Sequence, residues 1–189
     1  MAAKRTFDFI CSLVLLVLLS PLLFLIACLV RLTSRGPVIF KERRVGYRKK
    51  AFTIFKFRTM RNGSHIDQTI ALKGDSRVTF AGRLLRCAHL DELPQLWNVL
   101  RGEMSLVGPR PHQCWLALER RHIVAYHERF EVLPGITGLL QIKGRLDMLR
   151  AGPEKMASLD AFYVHHRSFL LDVQILLHTV RAVFTLKGV

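Results

Sequence analysis

The chain has 189 residues, half of them hydrophobic, so one compact domain with an ample core is expected and extensive disorder is excluded. Its 29 Lys and Arg against 14 Asp and Glu give a net charge of +15, which calls for anionic partners: nucleic acid, an anionic membrane surface or phosphorylated substrates. The four cysteines form no C-x-x-C pair, which argues against a disulfide framework or a zinc site.

The first predicted element is the apolar run Phe9–Val30, whose 22 residues include no Asp, Glu, Lys, Arg or His. As a helix it would be about 33 Å long, enough to cross a hydrocarbon core. Ser20-Pro21 interrupts it, and a proline there bends the helix. A hairpin that returns to the same leaflet suits its two positive flanks, with a kinked single span as the alternative. Those flanks, which favour the cytoplasmic side, are Lys4, Arg5, Arg31, Arg35, Lys41, Arg43 and Arg44.

Two short apolar and aromatic runs come next, and they predict a β-hairpin or a loose ribbon. The runs are Val38–Phe40 and Phe52–Phe57, separated by the basic stretch Arg43–Lys50. Asn62–Asp75 is predicted to be a polar loop, and Val78–Cys87 a short basic helix.

The second half of the chain is predicted to be mainly helical, so the fold class is mainly α with a small β element. Pro94 suits the first turn of a helix that runs to about Leu100. Gly108–Pro111 is expected to be extended, His112–Phe130 helical and Pro134–Gly138 a turn. Near the C-terminus, apolar residues recur at helical spacing and predict a helix that packs on the core or lies on a membrane surface: Phe169, Val173, Leu176, Val180 and Val183.

The candidate chemistry centres on the adjacent carboxylates of Asp91 and Glu92, just before the helix predicted from Pro94. Helix N-termini stabilise anions, so capping alone could explain a lone acidic pair. Together with nearby cations, however, the pair predicts Mg²⁺ and phosphate, since magnesium is held by one or two carboxylates plus substrate oxygens. A carboxylate can also attack phosphorus and form an acyl phosphate.

Four cations are candidate substrate-binding residues around this pair. Arg86 precedes it by about one helical turn, and Arg110 lies between two prolines that present its guanidinium at low entropic cost. Lys56 and Arg58 alternate on one face of the predicted strand. Taken singly, each could also lie on a solvated or lipid-facing surface.

At these residues the sequence resembles the bacterial sugar transferases known as monotopic phosphoglycosyl transferases, whose small members resemble the campylobacter enzyme that begins N-linked glycan assembly. The matching stretches cover nearly the whole chain in order: Lys4-Arg5 with the apolar run through Ser20-Pro21, Gly36–Val38, Phe55–Met60, Asp75–Thr79, Leu90–Leu100, Met104–Pro111 and Pro134–Leu139. Gln141–Leu146 departs from the family's Gln-Val-Asn-Gly-Arg-Asn, a difference that bears on sugar specificity.

The resemblance implies a monotopic membrane protein with an N-terminal re-entrant helix-break-helix and interfacial amphipathic helices. Residues 1–35 would form the hairpin, broken at Ser20-Pro21, and residues 36–189 a catalytic domain on the cytoplasmic side of the bacterial inner membrane. Larger relatives carry further N-terminal membrane helices and another domain, so the chain is expected to be a minimal catalytic unit.

The resemblance also implies roles for individual residues. Asp91 would attack the β-phosphate of a UDP-sugar and release UMP, and a polyprenyl (undecaprenyl) phosphate would then accept the phosphosugar, a step that initiates glycoconjugate synthesis. Glu92 would assist, with Mg²⁺ held by the acidic pair. The positions implied to hold phosphates or nucleotide are Lys56, Arg86, Arg110, Gln141 and Arg145, and those that fit acidic family positions are Asp160 and Asp172.

Two rival functions are weighed against this one. A glycosyl transferase that moves only the sugar would release UDP instead of UMP. A basic membrane adaptor that binds anionic lipid or nucleic acid would fit the charge, but it leaves the placement of Asp91 and Arg110 unexplained. The resemblance implies no nucleic-acid partner; the sugar, the glycan pathway and a possible homodimer stay open.

Overall fold

Two helices begin the chain in the structure, a computed structural model that describes residues 2–61, 75–142 and 145–184, with side chains except those of 145–151 and 183–184. Helix α1 (Ala2–Leu18) and helix α2 (Ser20–Thr33) are bent by 63° relative to each other. The Ser20 hydroxyl donates to the Val17 carbonyl at 2.8 Å. That carbonyl lacks an amide partner because Pro21 has no N–H. The predicted break at Ser20-Pro21 is confirmed.

The polarity of α1 is the reverse of that expected for a helix of a water-soluble core. Its buried residues are Asp8 and Ser12. Within the described chain no helix alone has the length and hydropathy of a membrane span, but the bent α1–α2 pair has them together. Apolar side chains dominate the exposed surface of this pair: Phe9, Ile10, Leu13, Val14, Leu15, Val17, Leu18, Leu22, Phe24, Leu25, Leu29 and Leu32.

After the helix pair, a three-stranded sheet is formed by β1 (Ile39–Val45), β2 (Ala51–Phe57) and the later β4 (His112–Gln113), in the order β2-β1-β4. Strands β1 (Ile39–Val45) and β2 (Ala51–Phe57) pair antiparallel, which confirms the predicted hairpin. The ladder continues into the stretch predicted as a connection, because its residues keep the strand alternation up to Val45. The polar loop predicted for Asn62–Asp75 lies outside the described residues, except for Asp75 itself.

Helix α3 (Phe80–Cys87) confirms the predicted basic helix, and the Thr79 hydroxyl caps it by accepting from the Gly82 amide at 2.9 Å. Gly82 permits close packing, since a Cβ there would lie 2.0 Å from the carbonyl oxygen of Thr59 just after β2. Helix α4 (Gln95–Leu100) starts directly after Pro94, as predicted.

The segment predicted as a turn at Pro134–Gly138 is instead largely a strand, β5 (Gly135–Thr137), which pairs in parallel with β3 (Ser105–Val107). Gly135 allows the backbone of β5 to approach the backbone just after β3 closely, because a Cβ at this position would lie 2.1 Å from the Gly108 amide nitrogen. The turn prediction failed because the partner strand lies about thirty residues earlier and local turn chemistry does not reveal it.

The continuous helix predicted for His112–Phe130 is wrong. The segment starts as strand β4 (His112–Gln113), which pairs with β1, and continues as helix α5 (Cys114–Glu119) and two 3₁₀ turns. Ile123 is extended, with φ −84° and ψ 113°, and interrupts the helical path. The aromatic and Arg side chains of the segment lie partly inside the protein instead of along one helix surface, and Tyr126, Arg129 and Phe130 are buried.

Three helices complete the described part of the chain: α6 (Leu139–Ile142), α7 (Arg145–His166), interrupted at Gly152, and α8 (Phe169–Phe184). The predicted C-terminal helix is confirmed, but its buried side carries Asp172 and Ile175, whereas Val180 is 54% exposed. The main core cluster joins α4, β3, α7 and α8: Leu96, Val99, Met104, Leu106, Val107, Tyr163 and Ile175.

The N-terminal end of α1 is fastened to this core by charged side chains. The Arg5 guanidinium donates to the carbonyls of Val99 at 2.6 Å and Leu100 at 2.9 Å, the last turn of α4. The Asp8 carboxylate accepts from the Ser105 hydroxyl at 2.7 Å. Arg5, which was expected to set topology, therefore also holds α1 against the core, together with Asp8.

Candidate active site

Asp91 and Glu92 lie in a 3₁₀ turn, Leu90–Glu92, between α3 and α4, as the sequence predicted. The turn begins after His89, whose left-handed backbone (φ 56°) redirects the chain. Asn98 ties α4 to β2, because its amide donates to the Thr53 carbonyl at 2.7 Å and accepts from the Phe55 amide at 3.2 Å. The carboxylate pair is thereby held beside the end of β2.

Glu92 is fully engaged by two cations. Its Oε1 accepts from Lys56 Nζ at 2.8 Å, and the Arg110 guanidinium binds both oxygens, with Nη1 3.0 Å from Oε2 and Nη2 on Oε1. Burial alone would raise the pKa of Glu92, but Arg110 and Lys56 hold that pKa well below its usual range. Arg110 and Lys56 therefore favour the ionised form of Glu92, and both of its oxygens are already occupied.

Asp91 is the contrasting carboxylate, because it makes no hydrogen bond or ion pair with any described residue. Burial raises its pKa, and the neighbouring charge of Glu92 raises that pKa further, against the opposing effect of Lys56, Arg86 and Arg110. A partly buried carboxylate whose oxygens are not engaged by any described residue, and which is surrounded by cations, is suited to nucleophilic attack on a phosphate.

Arg86 completes the set of predicted cations that the structure brings to the pair. Its Nε donates to the Thr59 hydroxyl at 2.9 Å, which anchors the guanidinium between α3 and the end of β2. Lys56, Arg86 and Arg110 together exceed the charge of the two carboxylates, so the site has positive potential for phosphate groups. The predicted grouping of these five residues agrees with the geometry.

A magnesium ion would fit this donor set only through Asp91. Both oxygens of Glu92 already accept hydrogen bonds from cations, and the described residues contain no cluster of three or more His, Cys, Asp and Glu side chains that could hold a metal. Magnesium nevertheless needs only one or two protein carboxylates when substrate phosphates supply the other oxygens. The open carboxylate of Asp91 meets that requirement.

Two charged residues beside the site were missed from the sequence. Strand β1 places Phe40 opposite Lys56, and the two-residue alternation puts Glu42 and Arg44 on that same face. Arg44 donates to the Pro111 carbonyl at 3.0 Å and to Glu42 Oε2 at 2.9 Å. The alternation would have found both residues had β1 been predicted to extend to Val45.

Arg58 was predicted to share the site with Lys56, and the structure places it elsewhere. The strand ends at Phe57, so the alternation that would aim both side chains at one face stops there. The buried Arg58 guanidinium binds the end of α2, donating to the carbonyl of Ser34 at 2.7 Å, to its hydroxyl at 2.8 Å, and to the Pro37 carbonyl. Its described contacts fasten the helix pair to the sheet.

The two acidic residues expected in the C-terminal segment also have internal partners. Asp160 lies 3.3 Å from the Arg129 guanidinium, and both side chains are almost fully buried. Asp172 accepts from the Tyr163 hydroxyl at 2.7 Å and pairs with Lys4. In the described contacts neither carboxylate touches the Asp91-Glu92 pair. Both were predicted from their position in the sequence, which does not show how the helices pack.

The remaining predicted residues lie in and after α6. Both polar atoms of the Gln141 amide are buried without a hydrogen-bond partner among the described residues. A buried amide without partners loses its hydration, so a ligand or water is its natural complement. The side chain of Arg145 lies outside the described set, so its predicted role stays a prediction.

Comparison with known proteins identifies the family of the chain. The family model for bacterial sugar transferases matches residues 1–186. A UDP-glucose:undecaprenyl-phosphate glucose-1-phosphate transferase of Klebsiella pneumoniae is 44% identical over 185 residues, which are 95% of this chain but 40% of that protein. The chain thus spans well under half of that relative.

Two relatives of similar length show that the match does not depend on the longer proteins. An exopolysaccharide production protein of Rhizobium leguminosarum is 41% identical over 94% of this chain and 92% of its own length. A sugar transferase of Bacillus subtilis is 42% identical over 100% of this chain and 91% of its own length. Since the family model and these relatives cover nearly every residue, the chain belongs to the bacterial sugar transferase family.

Proposed function

We propose that the chain transfers a sugar-1-phosphate from a UDP-sugar to undecaprenyl phosphate and so begins the synthesis of a bacterial glycoconjugate such as an exopolysaccharide. The observation that carries this proposal is the division between the two carboxylates. Glu92 is saturated by Lys56 and Arg110, whereas no described residue donates a hydrogen bond to the carboxylate of Asp91 beside it. The activities named for the Klebsiella relative supply the substrate class.

The proposed reaction has two displacements at one phosphorus atom. An Asp91 oxygen attacks the β-phosphorus of the UDP-sugar, the bond to the bridging oxygen breaks, and UMP leaves with the bonding electrons. A phosphate oxygen of the lipid then attacks the aspartyl phosphosugar, and the Asp91 carboxylate is regenerated. Lys56, Arg86 and Arg110 stabilise the charge that develops on the phosphate oxygens in both steps.

Magnesium, bound through Asp91 and the substrate's phosphate oxygens, would neutralise charge on the leaving UMP. Glu92 in this proposal is the counter-ion that keeps Lys56 and Arg110 aimed at the site. Of the described cations, Arg110 is best suited to a phosphate, because its planar fork is 38% exposed at the side chain while one edge holds Glu92.

The direct test is the identity of the released nucleotide. Purified protein with undecaprenyl phosphate, Mg²⁺ and a panel of UDP-sugars should release UMP from one or a few of them. EDTA should abolish this release, and added Mg²⁺ should restore it. Release of UDP would indicate transfer of the sugar alone and would contradict the proposal, as would release of neither nucleotide from any sugar in the panel.

We also propose that the α1–α2 pair is a re-entrant anchor in the bacterial inner membrane, with residues 36–189 on the cytoplasmic side. The 63° bend, the exposed apolar surface and the burial of Asp8 and Ser12 against protein support it. The exposed Phe169, Leu170 and Leu177 of α8 are suited to the same interface.

Cysteine labelling distinguishes the hairpin from a span. With the four native cysteines replaced by serine, Ala3→Cys and Arg35→Cys should each react with a membrane-impermeant maleimide in inverted vesicles and stay unlabelled in intact spheroplasts. Labelling of Ala3→Cys from the periplasmic side would favour the kinked span. A cysteine introduced in a cytoplasmic loop of a known membrane protein in the same cells controls for leakage.

A further inference from the structure

The segment Pro109-Arg110-Pro111 is held in place by two arginine side chains from distant parts of the chain. The flanking prolines have no N–H groups and cannot anchor the segment as donors. Arg129 Nη2 donates to the Arg110 carbonyl, and Arg44 Nη1 donates to the Pro111 carbonyl at 3.0 Å. Two adjacent carbonyls are thus bound by two different guanidinium groups.

Each of these arginines is in turn held by its own carboxylate. Arg129, 5% exposed, lies 3.3 Å from the Asp160 carboxylate, which is 3% exposed. Arg44 Nε donates to Glu42 Oε2 at 2.9 Å, and Glu42 Oε1 accepts from the Gln113 amide at 2.6 Å. Glu42 fixes Arg44 through the first of these hydrogen bonds, whereas Asp160 balances the charge of Arg129 across 3.3 Å, its Oδ2 accepting no hydrogen bond from a described residue.

Two more side chains restrict Arg129. Its guanidinium carbon lies 4.9 Å from the centre of the Tyr126 ring, and Nη1 is 3.0 Å from Nδ1 of His112, whose Nδ1 is also 2.9 Å from the Tyr126 hydroxyl. Burial, and then the charge of Arg129, hold the pKa of His112 well below its usual value, so this imidazole is neutral. The guanidinium of Arg129 is therefore held between the Tyr126 ring, the His112 imidazole and the Arg110 carbonyl.

We infer that Arg129 with Asp160, and Arg44 with Glu42, are positioning residues that fix the Arg110 guanidinium beside Glu92 and aim its free edge at the donor's phosphates. What Arg110 binds rests on the proposed function. None of the four positioning side chains is assigned contact with substrate. Their contribution is orientation, and a misplacement of about 1 Å at such a group costs on the order of 100-fold in rate.

The test is a pair of double-mutant cycles. Asp160→Asn and Glu42→Gln, which remove one charge each and keep the shape, are made in the wild type and in an Arg110→Met background. Each alone should lower kcat/KM for UMP release about 10- to 100-fold, with the larger part in KM for the UDP-sugar. In the Arg110→Met background each should change kcat/KM by less than about 2-fold, because the residue through which they act is absent.

Glu128→Gln is the matched control, since Glu128 precedes Arg129 and pairs with the exposed His165. It should leave kcat/KM and the unfolding midpoint unchanged.

Two results would overturn the inference. Equal losses with and without Arg110 would mean that the pairs only maintain the fold. No loss in either cycle would mean that they do not position Arg110. If Asp160→Asn fails to fold, the Glu42→Gln cycle decides alone. If the wild type releases no UMP, the proposed function is refuted. The inference can still be tested by measuring the dissociation constant for UDP in the same set of variants.

Discussion

The Asp91→Asn variant should lose UMP release by at least about 10⁴-fold, the order seen when the group that forms the covalent intermediate is removed. Asparagine has nearly the same shape as aspartate but cannot attack phosphorus. Incubation with UDP-sugar in the absence of lipid phosphate should add the mass of one phosphosugar to the wild-type protein and none to the variant. Intact-protein mass spectrometry gives the result directly.

The variant should also remain folded, which separates this loss from misfolding. Burial and the charge of Glu92 raise the pKa of Asp91, so the ionised form is disfavoured in the folded protein relative to the unfolded chain. For a carboxyl group whose pKa is raised on folding, ionisation at neutral pH costs stability, and the neutral amide removes that cost. The unfolding midpoint at pH 7 should therefore equal or exceed that of the wild type. Wild-type levels of adduct in Asp91→Asn would refute the assignment of the nucleophile.

The Glu92→Gln variant should have a different phenotype: slow chemistry and a less stable protein. Breaking a buried ion pair typically costs about 3–5 kcal/mol, because the partner charges are left uncompensated. The Arg110 side chain is 38% exposed, so solvent screens part of this cost and we expect about 2 kcal/mol. Turnover should fall about 10²–10³-fold, since Lys56 and Arg110 lose their common anchor, while the phosphosugar adduct on Asp91 still forms slowly.

The pH profile of the residual activity identifies this role. In the proposed mechanism attack requires the Asp91 carboxylate, so activity should fall on the acid side as that group is protonated. The charge of Glu92 contributes to the raised pKa of Asp91, and its removal lowers that pKa. The acid limb should therefore move to lower pH in Glu92→Gln. Glu103→Gln, at the other end of α4 and still able to accept from Asn98, should leave the limb in place. An unchanged limb in Glu92→Gln would mean that the two carboxylates are not coupled.

Much of the candidate site could be predicted because its signals are local. The acidic pair before Pro94 and the rigid Pro-Arg-Pro segment are visible in a few residues, and the structure brings Arg110 onto Glu92. The position of Lys56 at the site was predicted from the alternation of side chains along the strand. The bend at Ser20-Pro21 was likewise predicted by the chemistry of two adjacent residues, and the Ser20 hydroxyl takes the carbonyl that Pro21 leaves free.

The predictions that failed depend on contacts between residues far apart in the chain. Arg58 satisfies carbonyls at the end of α2, and Asp160 neutralises Arg129 inside the protein, and neither partner is signalled by local sequence. The segment from His112 has the composition of a helix, but its pairing with β1 and the burial of Tyr126 override that preference. Contacts between residues far apart in the chain, more than local propensity, decided each of these positions.

The attachment of Arg5 to the last turn of α4 has a consequence for how the two substrates meet. In the proposed reaction one substrate diffuses in water and the other is confined to the plane of a bilayer, so that reaction would require an active site at a constant height above the hydrocarbon. Arg5 links the helix that would insert to the helix that directly follows the carboxylate pair. The depth to which α1 inserts would thus determine the distance of Asp91 from the hydrocarbon core of the membrane.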